Sequence, residues 1–245
     1  MNYSFTGFAY LTLFLALGFL AYRFFQYWSR EKDFISKLWL YIIILVEVFA
    51  LIKAIGGLFF STNPIFLEMT MDVAAAIQAF IFATLAYLII YIKFPKISPW
   101  LGFIPILILG LIAFALTVMS SFDPHLEASG AVNWGFPSGP FVFTMSMLRL
   151  VLALFIFIPI IIIFLQQFKT SQDPYIRRKS LGLFLSLFLG SLISLLDFLL
   201  VSFLKVDPIW RDLSSIGIGI ILFITLILAL PRPHPKPESS YYIKT

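Results

Sequence analysis

No cysteine occurs in the 245-residue chain. That absence excludes disulfide staples, thiolate nucleophiles and cysteine-ligated iron–sulfur clusters, and it leaves the redox compartment unreadable from this residue. Histidine occurs only at His125 and His234. Two are too few for a bis-histidine haem, a desaturase-type centre or a zinc protease. Neither is expected in the same membrane layer as a candidate serine, so serine hydrolysis has no support. Charge is also scarce, at 12% of residues against 61% hydrophobic, and strand-type alternation is missing, which argues against a β-barrel. No metal or cofactor is expected.

What remains is apolar sequence, with a mean hydropathy of +1.01. The expected fold class is all-α: a polytopic integral membrane protein whose core is the helix bundle itself. A hydrocarbon layer of about 30 Å needs about 20 apolar residues per span. Seven such runs are found, at 8–28, 38–60, 72–93, 100–121, 140–167, 181–204 and 212–230. The first lacks the preceding basic residues and small-residue cleavage site of a signal peptide. The expected organisation is a seven-helix bundle over 1–230 and a short Pro-rich tail over 231–245, with no soluble catalytic domain.

Basic residues alternate between loops. Arg23, Arg30, Lys32 and Lys37 flank the first loop, Lys93 and Lys96 the third, and Lys169, Arg177, Arg178 and Lys179 the fifth. The tail adds Arg232, Lys236 and Lys244, while the other side has only Lys205 and Arg211. The positive-inside rule then places the N-terminus outside and the C-terminus in the cytoplasm of a cell-membrane protein. The positive charge reads as a topology signal, and no nucleic-acid partner is expected. A loop without Lys or Arg, "SSFDPHLEASGAVNWGFPSGP", is rich in Gly, Pro and Ser and lies on the outer side in this reading.

Four ionisable residues fall well inside the runs: Glu47, Lys53, Arg149 and Asp197. Each costs about 2.5–3.5 kcal/mol near a helix centre on insertion scales, so each should face the bundle and find a partner. At about 1.5 Å per residue, Lys53 and Asp197 lie about 10 Å below the outer boundary and Arg149 about 14 Å. Gln78 falls in the same layer, and Glu47 sits nearer the midplane. Lys53, Gln78, Arg149 and Asp197 are therefore the candidate ligand-binding set. One reading is an Arg149–Asp197 ion pair that only fixes packing, with Lys53 extended outward. The other is a polar pocket with a surplus cation, suited to an anionic or zwitterionic small molecule or lipid.

Helix packing is expected along Gly182, Ser186, Gly190 and Ser194, with a shorter ridge at Ser215 and Gly219. Asp72 and Asp212 open the third and seventh runs at matching places of a possible three-plus-one-plus-three repeat, and both read as helix caps. The pairs Met69 with Met71 and Met145 with Met147 could ligate cuprous ion, but methionine is also an ordinary apolar filler. No lysine stands between 212 and 230, which excludes a Schiff base on the seventh helix.

"DVAAAIQAFIFATLAYLIIYIKFPK" resembles the helix ending in a Phe-Pro turn in the seven-helix input region of prokaryotic sensor histidine kinases. "GPFVFTMSMLRLVLALFIFIPIIIIFLQQFKTSQDPYIRRKSLGLFLSLFLG" is similar to that region's later half, with its basic loop and Gly-containing helix. The resemblance implies a seven-helix sensory bundle, without the kinase domain, that signals through a protein partner at its cytoplasmic loops or tail. The expected function is a non-enzymatic sensor or receptor-like protein. Two alternatives are a small-solute or proton-coupled transporter titrating Glu47 and Asp197, and an accessory subunit of a membrane complex.

Overall fold

A computed structural model of the chain describes residues 3–135, 140–197 and 206–229. Within these ranges, the side chains of Ser186, Ser194, Asp197 and Ser215 lie outside the description. The fold is mostly helical. Its elements run α1 Phe5–Glu31, α2 Phe34–Phe59, α3 Pro64–Lys93 and α4 Trp100–Val118, then a small hairpin of β1 His125–Leu126 and β2 Val132–Asn133. α5 Val142–Thr170, α6 Pro174–Asp197 and α7 Pro208–Ala229 follow.

Local chemistry sets the helix starts. Ser4, Asp33 and Asn63 each accept a hydrogen bond from a first-turn backbone N–H, satisfying donors that the helix itself cannot pair. Pro64 and Pro208 open α3 and α7 with a φ already suited to a first turn. Asp207 caps α7 by accepting from the Ile209 N–H at 2.9 Å. These starts correct the sequence reading of Asp72 and Asp212. Neither is a helix cap, since α3 and α7 begin upstream at Pro64 and Pro208. Nor do the two stand at matching places, because Asp72 lies much deeper in its helix than Asp212 does.

Neighbouring helices pack in sequence order, α7 closes against α1, and α3 also reaches α5. The core includes Leu20, Phe24, Ala83, Leu88, Ile156 and Ile160, all 2% exposed or less. Glycine permits the closest crossing. A Cβ on Gly57 would lie 2.6 Å from Gly7 Cα, so α1 and α2 meet backbone to backbone there. This close contact thus falls on α1 and α2. Nothing among the described residues lies within 4 Å of a Cβ at Gly219, so the expected close packing on α7 is not made at that position.

α1 to α5 are long and apolar enough to cross a membrane, with mean hydropathies from 1.7 to 3.0. Large apolar side chains such as Leu15, Leu101, Phe143 and Phe155 point outward, more than 60% exposed. A surface of that kind is costly in water and favourable in hydrocarbon. The architecture is compatible with a multi-pass membrane protein.

Candidate functional site

The hairpin closes one end of the bundle. It pairs His125 with Asn133 and Leu126 with Val132, and Gly130 takes a positive φ of 79° at its turn. Gly135 has φ 76° and approaches the backbone of Asp123 so closely that a Cβ would lie 2.7 Å from it. Both its conformation and its clearance favour glycine. Phe5 N–H donates to Gly130 O at 2.7 Å, tying the tip of the hairpin to the start of α1.

A buried polar clamp fixes this hairpin to both α1 and α7. Thr6 Oγ1 accepts from the Val132 N–H at 2.7 Å and donates to Asp212 Oδ2. Arg211 binds Asp212 Oδ1 through Nε at 2.9 Å and Nη2 at 2.8 Å. Its Nη2 also donates to Val132 O at 3.0 Å. Asp212 is 2% exposed and Arg211 7%, so each ion is matched by several hydrogen bonds, as burial requires. At the rim, Ser129 Oγ donates to Asp207 Oδ1 at 2.9 Å.

The clamp positions Trp134, just past β2. Lys53 Nζ lies 3.5 Å from the centroid of the Trp134 ring, a close cation–π contact over a buried lysine. The indole Nε1 is buried, with no hydrogen-bond partner among the described residues. Below this cover lies Asp72 of α3, within electrostatic range of Arg149, Lys53 and Glu68. Arg149 of α5 donates from Nη2 to Thr117 Oγ1 of α4. Thr117, 1% exposed, donates a hydrogen bond from its hydroxyl to Ala113 O at 2.7 Å, which leaves its oxygen free to accept. This is the only hydrogen bond the Arg149 side chain makes to the described residues, and no carboxylate among them forms an ion pair with it. A guanidinium carries five N–H donors.

Arg149 and Gln78 also share a cavity of about 10 Å³ with Phe82, Gly110 and Phe114, close to the smallest space that admits one water. The structure therefore brings together three of the four sequence candidates, Lys53, Gln78 and Arg149, from three helices. The Asp197 side chain lies outside the described residues, and with it the expected Arg149–Asp197 pair. Glu47 is elsewhere, with its Oε1 against Gly18 of α1. Charge in the layer also differs from expectation. Asp72 and Glu68 accompany Lys53 and Arg149, so these four side chains balance and carry no surplus cation.

Sequence reasoning missed Asp72 and Glu68 as layer residues because it began the third helix too late. The signal was the Asn63-Pro64 pair, a cap followed by a first-turn proline. It also missed Trp134, Thr117 and the clamp, whose partners are far apart in sequence. Of the methionines in the two pairs, Met145 is buried against Thr117 at 3.5 Å, whereas Met69 is exposed. Comparisons of the chain with protein-family models, with curated proteins and with solved structures found no match.

Proposed function

We propose that the protein is a non-enzymatic, seven-span membrane sensor of a small molecule or lipid bearing an oxyanion, bound in the layer beneath the hairpin. The observation that carries this reading is Arg149: a partly buried guanidinium with a single hydrogen bond to the described residues, facing a small cavity. Burying donors that no described residue accepts is unfavourable, and a carboxylate or phosphate group would satisfy them in a paired geometry. Gln78 lines the same cavity and offers both a donor and an acceptor. Asp72 and Glu68 make a zwitterion as acceptable as a simple anion.

In this reading the hairpin faces outward and the basic loops face the cytoplasm. Support comes from Arg30, Lys32, Lys93, Lys96 and Lys169, which gather at helix ends remote from the hairpin. The cavity is too small for a ligand while Trp134 covers Lys53, so binding displaces the hairpin. That displacement is the conformational signal, carried through α1 and α7 to a protein partner at the basic loops.

The test is native mass spectrometry of protein extracted in native lipid. A bound mass is expected on the unmodified protein, reduced with Arg149→Lys and lost with Arg149→Gln. An unchanged complement of bound molecules on Arg149→Gln, in protein that remains folded, refutes the assignment.

A further inference from the structure

Glu47 stands at the middle of α2 and Gly18 at the middle of α1. The two helices run antiparallel, so both residues lie near half-depth of any bilayer the helices cross. Glu47 Oε1 sits 2.9 Å from the place a Cβ on Gly18 would occupy, so the carboxyl group fills the notch left by the missing side chain. Among the described residues it has no hydrogen bond and no ion pair. It is only half-buried, which leaves it partly open at the bundle surface. Exposed apolar side chains frame it: Leu15, Phe19 and Tyr22 on α1, and Ile44, Val48 and Ile55 on α2.

This combination is an apolar groove with one carboxyl group at its centre. Hydrocarbon does not solvate a carboxylate, and a group at this depth is out of reach of headgroups and of water at either boundary. We infer that the α1–α2 groove is a docking surface for a transmembrane helix of another protein, one that carries a basic residue at mid-span to pair with Glu47.

A second copy of this chain does not fit the role. Of its three cations furthest from helix ends, Lys53 is covered by Trp134, Arg149 is directed to Thr117 and the cavity, and Arg23 lies five residues along α1 from Gly18, about 7.5 Å away from half-depth. The same face on another copy would bring a carboxyl group to a carboxyl group. The occupant is therefore an apolar helix with a lysine, arginine or histidine opposite Glu47.

The inference stands apart from the proposed ligand site, and the test separates the two. Because the chain has no native cysteine, Ser98→Cys gives a single labelling position on an exposed loop. The labelled full-length protein is reconstituted in phosphatidylcholine vesicles with a labelled synthetic helix of about 20 leucine and alanine residues. The helix carries one central lysine, or a leucine there as control. Energy transfer is expected to report binding about tenfold tighter for the lysine helix, the order that one interhelical polar contact gives in model peptides. Glu47→Gln, which keeps the side-chain shape, removes the preference, and Arg149→Gln leaves it intact. Equal binding of both helices, or a preference that survives Glu47→Gln, overturns the inference.

Discussion

Asp212→Ala tests how the hairpin is held over the polar layer. The substitution deletes the acceptor of two bonds from Arg211, at 2.9 and 2.8 Å, and of the bond from Thr6. Arg211 stays 7% exposed and keeps its 3.0 Å bond to Val132 O, but loses the carboxylate that balances its charge. Removing one partner of a buried ion pair costs about 3–5 kcal/mol, most of it from the ion left behind. Asp212→Asn preserves shape and some hydrogen bonding, so its expected cost is smaller, about 1.5–3 kcal/mol. The double variant Arg211→Met with Asp212→Ala removes both ions and should recover a large part of the loss, because an apolar replacement for a buried pair is often neutral. Reversible unfolding in mixed micelles, followed by circular dichroism, gives the stability change. Hydrogen exchange over residues 121–135 tells whether the hairpin loosens first. A loss below about 1 kcal/mol for Asp212→Ala, or a double variant no more stable than the single one, refutes this account of the clamp.

Two further predictions concern the α1–α2 crossing and pH. Gly57→Ala places a methyl group 2.6 Å from Gly7 Cα and 3.0 Å from Ser4 Oγ. Backbone cannot yield as a flexible side chain can, so a loss of about 1–3 kcal/mol is expected in the same unfolding assay. In the hairpin, His125 Nδ1 lies 2.8 Å from Asp123 O and Nε2 lies 3.2 Å from Glu127 Oε1. Both partners are acceptors, so only the doubly protonated ring satisfies both. The Asp123 carbonyl, ahead of Glu127, raises the histidine pKa above its usual 6.5, with partial burial opposing. Hairpin stabilisation is therefore fully present below the unfolded-state pKa of about 6.5 and is lost as pH rises through the higher folded value. Exchange of hairpin amides should quicken across that interval, and His125→Gln should flatten the response. A pH response unchanged in His125→Gln would reject the protonated network. The histidine is about half exposed, so the effect is small in energy.

Helical character and span-length apolar helices were legible in the sequence because hydropathy and backbone satisfaction are local. A segment in hydrocarbon must pair its own N–H and C=O groups, and the helix does this without help from neighbours. Residue runs near 38–60 and 100–121 accordingly fall close to α2 and α4. Counting residues from the helix ends put Lys53, Gln78 and Arg149 in one layer, and the structure joins Lys53 and Arg149 through Asp72, and Gln78 and Arg149 through a cavity. Helix starts were misread where polar residues lowered the hydropathy, as at Glu68 and Asp72, although Asn63-Pro64 and Asp207-Pro208 marked the true positions.

Rotation of each helix about its axis was not legible, and rotation decides which polar groups meet. It directs Glu47 to Gly18 while Lys53, on the same helix, turns to Trp134. It also brings Thr6 to Asp212 across a sequence separation of 206 residues. The sequence by itself determined the mostly helical character and the presence of apolar helices long enough to cross a membrane, since these follow from composition and from local backbone pairing. Only the tertiary structure decided that Arg211, Asp212 and Thr6 form a clamp, that Trp134 covers Lys53, and that Arg149 gives one hydrogen bond to Thr117. Those contacts depend on how long-range packing orients each helix, and no local pattern encodes that.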